Sequence, residues 1–107
     1  MTTTTTTIAG REVSVNEEGF MTEYDEWTED LGRELAANIG IAELDEAHWE
    51  AIRFLRSDYA AQGETATLRR VAKVGGIPTK QLFTLFPKKP AKKMAYVAGL
   101  PKPRGCV

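Results

Sequence analysis

All five prolines of this chain lie beyond residue 77, at Pro78, Pro87, Pro90, Pro101 and Pro103, and they dictate how its second half can fold. Each fixes φ and lacks a backbone donor, so a helix can begin at one but cannot run through it. Upstream of the first, Thr67 to Val74 reads as a short basic helix with Leu68, Val71 and Ala72 inward, broken by the turn Gly75-Gly76. Pro78 then opens a helix from Thr79 to Phe86, with Leu82, Phe83, Leu85 and Phe86 supplying core. Pro87 ends it, and Pro90 starts a last helix, Ala91 to Ala98. Helix, glycine turn, helix is the outline of a helix-turn-helix.

That last helix delivers the chain to Gly99-Leu100-Pro101-Lys102-Pro103-Arg104-Gly105-Cys106-Val107. Two closely spaced prolines favour an extended arm, loosened again by Gly105. Gly99, Pro101, Pro103 and Gly105 shape it, and at about 3.3 Å per residue it reaches on the order of 30 Å. Cys106 is the only cysteine. A lone cysteine is commonly a small buried hydrophobe, but the last residues of a domain are poorly ordered unless tied down. The expectation for Cys106 is therefore an accessible, working thiol.

The first half has a different grammar. Residues 1–7, Met1 followed by six threonines, read as a disordered extension. From Ile8, the alternation Val13-Ser14-Val15 and the turn residues Asn16 to Gly19 suggest a small strand or hairpin closing on Phe20 and Met21. Thr22 reads as an N-cap with Asp25 in the capping-box position, and Trp27, Leu31 and Leu35 recur as one helical stripe ending near Asn38 to Gly40. Asp45 caps a second helix through Ala61, stopped by Gln62-Gly63, with Trp49, Ile52, Leu55 and Tyr59 on its apolar stripe and Phe54 off it. Packing through Trp27, Trp49, Leu55, Leu82 and Phe86 is expected to join the acidic helices to the basic unit. The fold class is thus mostly α with a small N-terminal β element: a helical bundle with a helix-turn-helix-like unit and a mobile arm. Residues 8–98 make the single domain and 99–107 the arm.

Charge divides the chain in the same place. Residues 1–60 hold 14 acidic and 4 basic side chains, residues 61–107 hold 1 and 10. Such asymmetry points to a basic face for an acidic partner, either nucleic acid or an acidic protein surface. No apolar run approaches the roughly 20 residues needed to span a bilayer. The threonine-rich start lacks a basic n-region and an apolar h-region, and one cysteine forms no internal bridge, so the cytoplasm is the expected compartment. His48 is the only histidine, with no second His or Cys to complete a metal site, so no metal or cofactor is expected. No Ser-His-Asp or Cys-His spacing and no phosphate cradle is present, and the carboxylates of the first half read as a solvated helix face.

The chemistry that remains is the thiol's. The thiolate is the nucleophile, and a cysteine with pKa near 8.5 is only slightly ionised at neutral pH. Lys102 and Arg104 favour the anion and the terminal carboxylate opposes it. Such mild activation suits a carrier, whose partners supply the rest, better than a self-sufficient enzyme.

The run Leu85-Phe86-Pro87-Lys88-Lys89-Pro90-Ala91-Lys92, followed by Ala98 to Pro103 and Gly105-Cys106-Val107, resembles the DsrC/TusE family of sulfur carriers. Gly19-Phe20, Trp27, Gly40-Ile41, His48-Trp49, Ile52, Phe54-Leu55-Arg56, Tyr59 and Leu68-Arg69 fall in the family's order, so the resemblance runs from Ile8 onward. It implies a persulfide on Cys106. It also implies a donor complex of the DsrEFH or TusBCD type, and an acceptor such as the tRNA 2-thiouridylase or, less closely, dissimilatory sulfite reductase. Lys102 and Arg104, with Arg69, Lys92 and Lys93, are candidates to guide the arm into an acidic entrance or along tRNA.

Two departures qualify the likeness. The second cysteine of DsrC proper, eleven residues before the last one, is Ala95 here, so the arm cannot close an internal disulfide or trisulfide. The segment from Val74 to Ile77 is also shorter than the family's. Two other readings stand beside a carrier for tRNA thiolation. One is a persulfide relay or regulatory homologue in dissimilatory sulfur metabolism. The other is a DNA-binding regulator whose recognition helix, Thr79 to Phe86, offers Lys80 and Gln81 to base edges.

Overall fold

The computed structural model describes residues 4–8 and 10–103. Strand β1 (Thr4–Ile8) pairs antiparallel with β2 (Arg11–Val15), Thr4 opposite Val15 and Ile8 opposite Arg11. Thr4 to Thr7 are therefore not the disordered extension their low complexity suggests. Threonine is β-branched and fits a pleated ladder, and β2 supplies the hydrogen-bonding partner. Val13 and Val15 alternate inward as expected. The turn at Asn16 also forms, its side-chain oxygen accepting from Glu18 N (2.9 Å) and Phe20 N (3.1 Å). It leads to a single bridge, Val15 to Met21, rather than to a second hairpin.

Helix α1 (Glu29–Asn38) starts later than Thr22. Residues Tyr24–Glu26 form a lone 3-10 turn, and Thr28 is the cap, its hydroxyl accepting from Leu31 N at 3.2 Å. Glu29 and Asp30 follow Thr28 and place two carboxylates on the helix's positive end. Trp27 thus precedes the helix instead of sharing a stripe with the buried Leu31 and Leu35. Its ring lies against Gly32, where a Cβ would sit 2.9 Å from Trp27 Cζ2. That contact explains a glycine inside a helix. The helix ends in a Schellman turn, Ile41 N to Ala36 O (2.9 Å) and Gly40 N to Ala37 O (3.1 Å).

Helix α2 (Glu46–Gln62) begins where the sequence places it and runs one residue past Ala61, with Gly63 left-handed at its end. Asp45 accepts from His48 N while His48 Nδ1 accepts from Asp45 N, each at 3.1 Å, a reciprocal capping box. The His48 amide holds the Asp45 carboxyl below its usual pKa. His48 Nε2 lies 2.9 Å from Leu85 O, so this histidine joins two helices and is fully used as structure. Helices α3 (Leu68–Lys73), capped by Thr67, and α4 (Thr79–Leu85) form the helix-turn-helix-like pair. Leu82, Leu85 and Phe86 are buried, but Phe83 is 49% exposed, against the expectation that it supplies core. One residue on from Leu82 is a rotation of about 100°, which turns it off the buried face.

Helix α5 (Pro90–Val97) is the central element, with α1 and α2 both packed on it. Met94, Ala95, Val97 and Ala98 are fully buried. Trp27 and Tyr96 touch both the main core, around Ile52, Leu55 and Phe86, and a smaller one of Val13, Val15, Met21, Leu31 and Leu35. The link into α5 is strained: Lys88 and Lys89 have φ of 59° and 48°. A side chain in that region costs about 1 kcal/mol or more. Lys89→Gly is expected to stabilise the fold by about 1 kcal/mol in urea unfolding, whereas Lys89→Ala, which keeps a Cβ, gains nothing.

Candidate functional site

The end of α5 is where the body takes hold of the cysteine-bearing segment. The last carbonyls of a helix lack intrahelical partners, and here side chains from elsewhere in the chain take two of them. Trp27 Nε1 donates to Val97 O at 2.8 Å, and Arg56 Nη1 donates to Ala98 O at 2.8 Å. Arg56 also donates through Nη2 to Tyr24 O at 2.9 Å, and its guanidinium lies 4.3 Å from the Trp27 ring centre and 5.1 Å from that of Tyr24. Burial lowers its pKa below the ordinary guanidinium value, opposed by Tyr24 and Asp25. It remains a cation under any condition in which the protein folds.

The chain then turns sharply. Gly99 N bonds Tyr96 O (3.2 Å) and Leu100 N bonds Ala95 O (3.0 Å), a second Schellman turn with Gly99 at φ 71°. Leu100 is fully buried. Pro101 O accepts from Thr65 Oγ1 at 2.7 Å, Lys102 Nζ lies 3.2 Å from Glu18 Oε2, and Pro103 is buried. Gly99 to Pro103 are thus seated on the body, and the expectation of a free arm beginning at residue 99 is corrected to this extent. The physical reason is Leu100: an apolar side chain next to the helix end gains more by burial than the arm loses in freedom.

Of the other candidate residues, Arg69 is exposed on α3, and Lys92 and Lys93 are half-buried at the start of α5. Lys93 donates to Pro87 O, and Lys102 is held by Glu18, so both have partners within the body. Arg104, Gly105 and Cys106 lie outside the described residues. The described basic residues do not converge on one point; they spread over α3, α5 and the arm root.

Several residues that hold the arm root have no role assigned to them from the sequence. Arg56 carried a signal: a cation four positions from Ile52 and one from Leu55, at the edge of an apolar stripe, needs buried acceptors. Thr65 and Glu18 carried none, because each meets the arm from far away in sequence. Asp58 and Arg70 were also missed. Asp58 is buried and receives Arg70 Nε and Nη2 at 2.8 and 2.7 Å, a two-pronged pair that ties α3 to α2 and raises the Arg70 pKa. Val74 (59%) and Phe83 (49%) are exposed large apolar side chains on the α3–α4 unit. Among the described residues, no three His, Cys, Asp or Glu side chains group as metal ligands, and no helix is long and apolar enough to cross a membrane.

Known proteins share this sequence and architecture. The family model described as DsrC like protein matches residues 7–107. Sulfurtransferase TusE of Salmonella typhimurium is 38% identical over 105 residues, covering 92% of this chain and 95% of the relative. The solution structure of Allochromatium vinosum DsrC superposes with a TM-score of 0.80 at 34% identity, covering 99% of this chain and 100% of that one. The oxidized gamma-subunit of the dissimilatory sulfite reductase (DsrC) from Archaeoglobus fulgidus gives 0.76 at 32% identity, covering 97% of this chain and 100% of that one. These relatives give no support to a DNA-binding regulator. The sequence match along nearly the whole chain and the shared helical fold agree, and the chain belongs to the DsrC family.

Proposed function

We propose that this protein is a sulfur carrier that takes up sulfur as a persulfide on Cys106 and passes it to an acceptor. The observation that carries the reading is the seating of Gly99 to Pro103, which ends a fixed root three residues before the only thiol. Family membership with sulfurtransferases named TusE supports it. In the transfer, the Cys106 thiolate attacks the terminal sulfur of a donor persulfide. A new S–S bond forms, the donor's S–S bond breaks, and its electron pair leaves on the donor thiolate. No net oxidation occurs. Repeating the exchange in the other direction unloads the sulfur.

Ala95 favours carriage by one cysteine. It is fully buried in α5 and carries no thiol, so no described residue resolves the persulfide as an internal bridge. The reading we favour is a TusE-like carrier serving tRNA wobble-uridine 2-thiolation, with a TusBCD-type donor complex and the tRNA 2-thiouridylase as acceptor, acting in the cytoplasm. The likeness to a sulfite reductase gamma-subunit favours a second reading, a persulfide relay in dissimilatory sulfur metabolism with a DsrEFH-type donor. In either setting Arg69, Lys92, Lys102 and Arg104 steer partners by charge, with Lys93 assisting.

Intact-mass measurement tests the shared chemistry. Incubation with a persulfide donor is expected to add about 32 Da, removable by reductant, and Cys106→Ala is expected to add nothing. Equal labelling of the alanine variant defeats the proposal. Onward transfer to purified 2-thiouridylase or to sulfite reductase then separates the two readings.

A further inference from the structure

The contacts at Pro101 and Lys102 bear on how far Cys106 reaches. Thr65 is only 6% exposed, and its hydroxyl spends its proton on the Pro101 carbonyl at 2.7 Å. Prolines at 101 and 103 offer no N–H, so this stretch cannot be held by backbone donors of its own except at Lys102. A side-chain donor from the body is the natural means of fixing it. Glu18 adds an exposed ion pair to Lys102 at 3.2 Å, weaker and screened by salt. Glu18 is itself set by the Asn16 turn, and Thr65 by the loop between α2 and α3, so two distant segments converge on two adjacent arm residues.

We infer that Thr65, assisted by Glu18, is a positioning residue for Cys106: it pins the arm root to the body and so limits the reach of the sulfur-bearing side chain. With Pro103 fixed, three Cα steps of 3.80 Å leave the Cys106 Cα within about 11 Å of it. With the root released back to the buried Leu100, six steps allow about 22 Å from that residue. A donor or acceptor whose reacting sulfur lies near its own surface is served with the root pinned. One whose sulfur lies deep in a channel is served only after Thr65 and Glu18 let go. The consequence for transfer rests on the carrier reading, but the pinning itself does not.

The single cysteine makes the test direct, since a nitroxide on Cys106 reports arm motion with no other cysteine to remove. In the full chain, the labelled wild type is expected to give a restricted spectrum and to broaden amide resonances mainly near Thr65 and Glu18. Thr65→Val, which keeps the shape and deletes the donor, is expected to shift the pinned-to-released ratio by about fivefold, narrowing the spectrum and spreading the broadening. Thr65→Ser restores the wild-type pattern, and Glu18→Gln, on the surface and harmless to the fold, gives a smaller shift that 0.5 M salt reproduces in wild type. If all four chains give the same spectrum, or if the wild-type label moves as freely as in urea, the inference is wrong. Sulfur uptake measured by mass is read separately, so loss of carriage with an intact spectral series counts against the proposed function alone.

Discussion

Gly99→Ala is expected to cost about 3 kcal/mol of folding stability, lowering Tm by roughly 15 °C. Two independent penalties combine. Gly99 sits at φ 71°, where a Cβ is opposed by the following carbonyl at about 1–2 kcal/mol. That Cβ would also lie 2.4 Å from Trp27 Cδ1, 2.8 Å from Cγ and 3.0 Å from Met21 Sδ. The indole cannot step aside, because Nε1 is bonded to Val97 O and Arg56 covers its face. Overpacking of this kind adds about 1–3 kcal/mol. Gly40→Ala is the control: its φ is 88° with nothing within 4 Å of the new Cβ, so it carries the backbone penalty alone. Thermal unfolding followed by circular dichroism measures both. Equal losses at the two positions would show that the Trp27 wall is not rigid.

The contrast between those glycines shows what the sequence made legible. Proline and glycine positions bounded α2, α3, α4 and α5 to within a residue or two, because their effects are local and covalent. Capping is legible at Asp45 and misleading at Thr22, where a threonine followed by an acid three residues on meets the pattern but Thr28 is the residue that caps the helix. The strand Thr4–Ile8 was hidden by composition, since a threonine run is low in complexity and at the same time well suited to a ladder. The site divided in the same way. Cys106, the proposed carrier, stands out by residue type and position alone. Thr65, Glu18 and Arg56 act across 36, 84 and 42 residues of chain, and no local pattern announces such contacts. The charge asymmetry was real, but three of the ten cations in the basic half are bound internally: Arg70 to Asp58, Lys93 to a carbonyl, Lys102 to Glu18.

Arg56→Met is the second large effect, with an expected loss of about 3 kcal/mol. Methionine keeps most of the side-chain volume, so the loss isolates the guanidinium. Two charge-assisted hydrogen bonds disappear, leaving Ala98 O and Tyr24 O without their donors, at about 1.5 kcal/mol or more for each bond. Stacking over Trp27 and Tyr24 is worth a further 0.5–1 kcal/mol or so, and partial access of water to the carbonyls offsets some of the total. Arg56→Lys is not a conservative change here. An ammonium can reach one carbonyl or the other and cannot lie flat on the indole, so it is expected to recover less than half. Urea unfolding of the three chains orders them Arg, Lys, Met. A double-mutant cycle with Trp27→Phe, which removes the indole N–H and alters the ring that Arg56 covers, is expected to give a coupling of about 1 kcal/mol. A loss below 1 kcal/mol for Arg56→Met would mean that water replaces the guanidinium at both carbonyls. The end of α5 would then be held by Trp27 and Leu100, and the arm root would owe its position to apolar burial rather than to this cation.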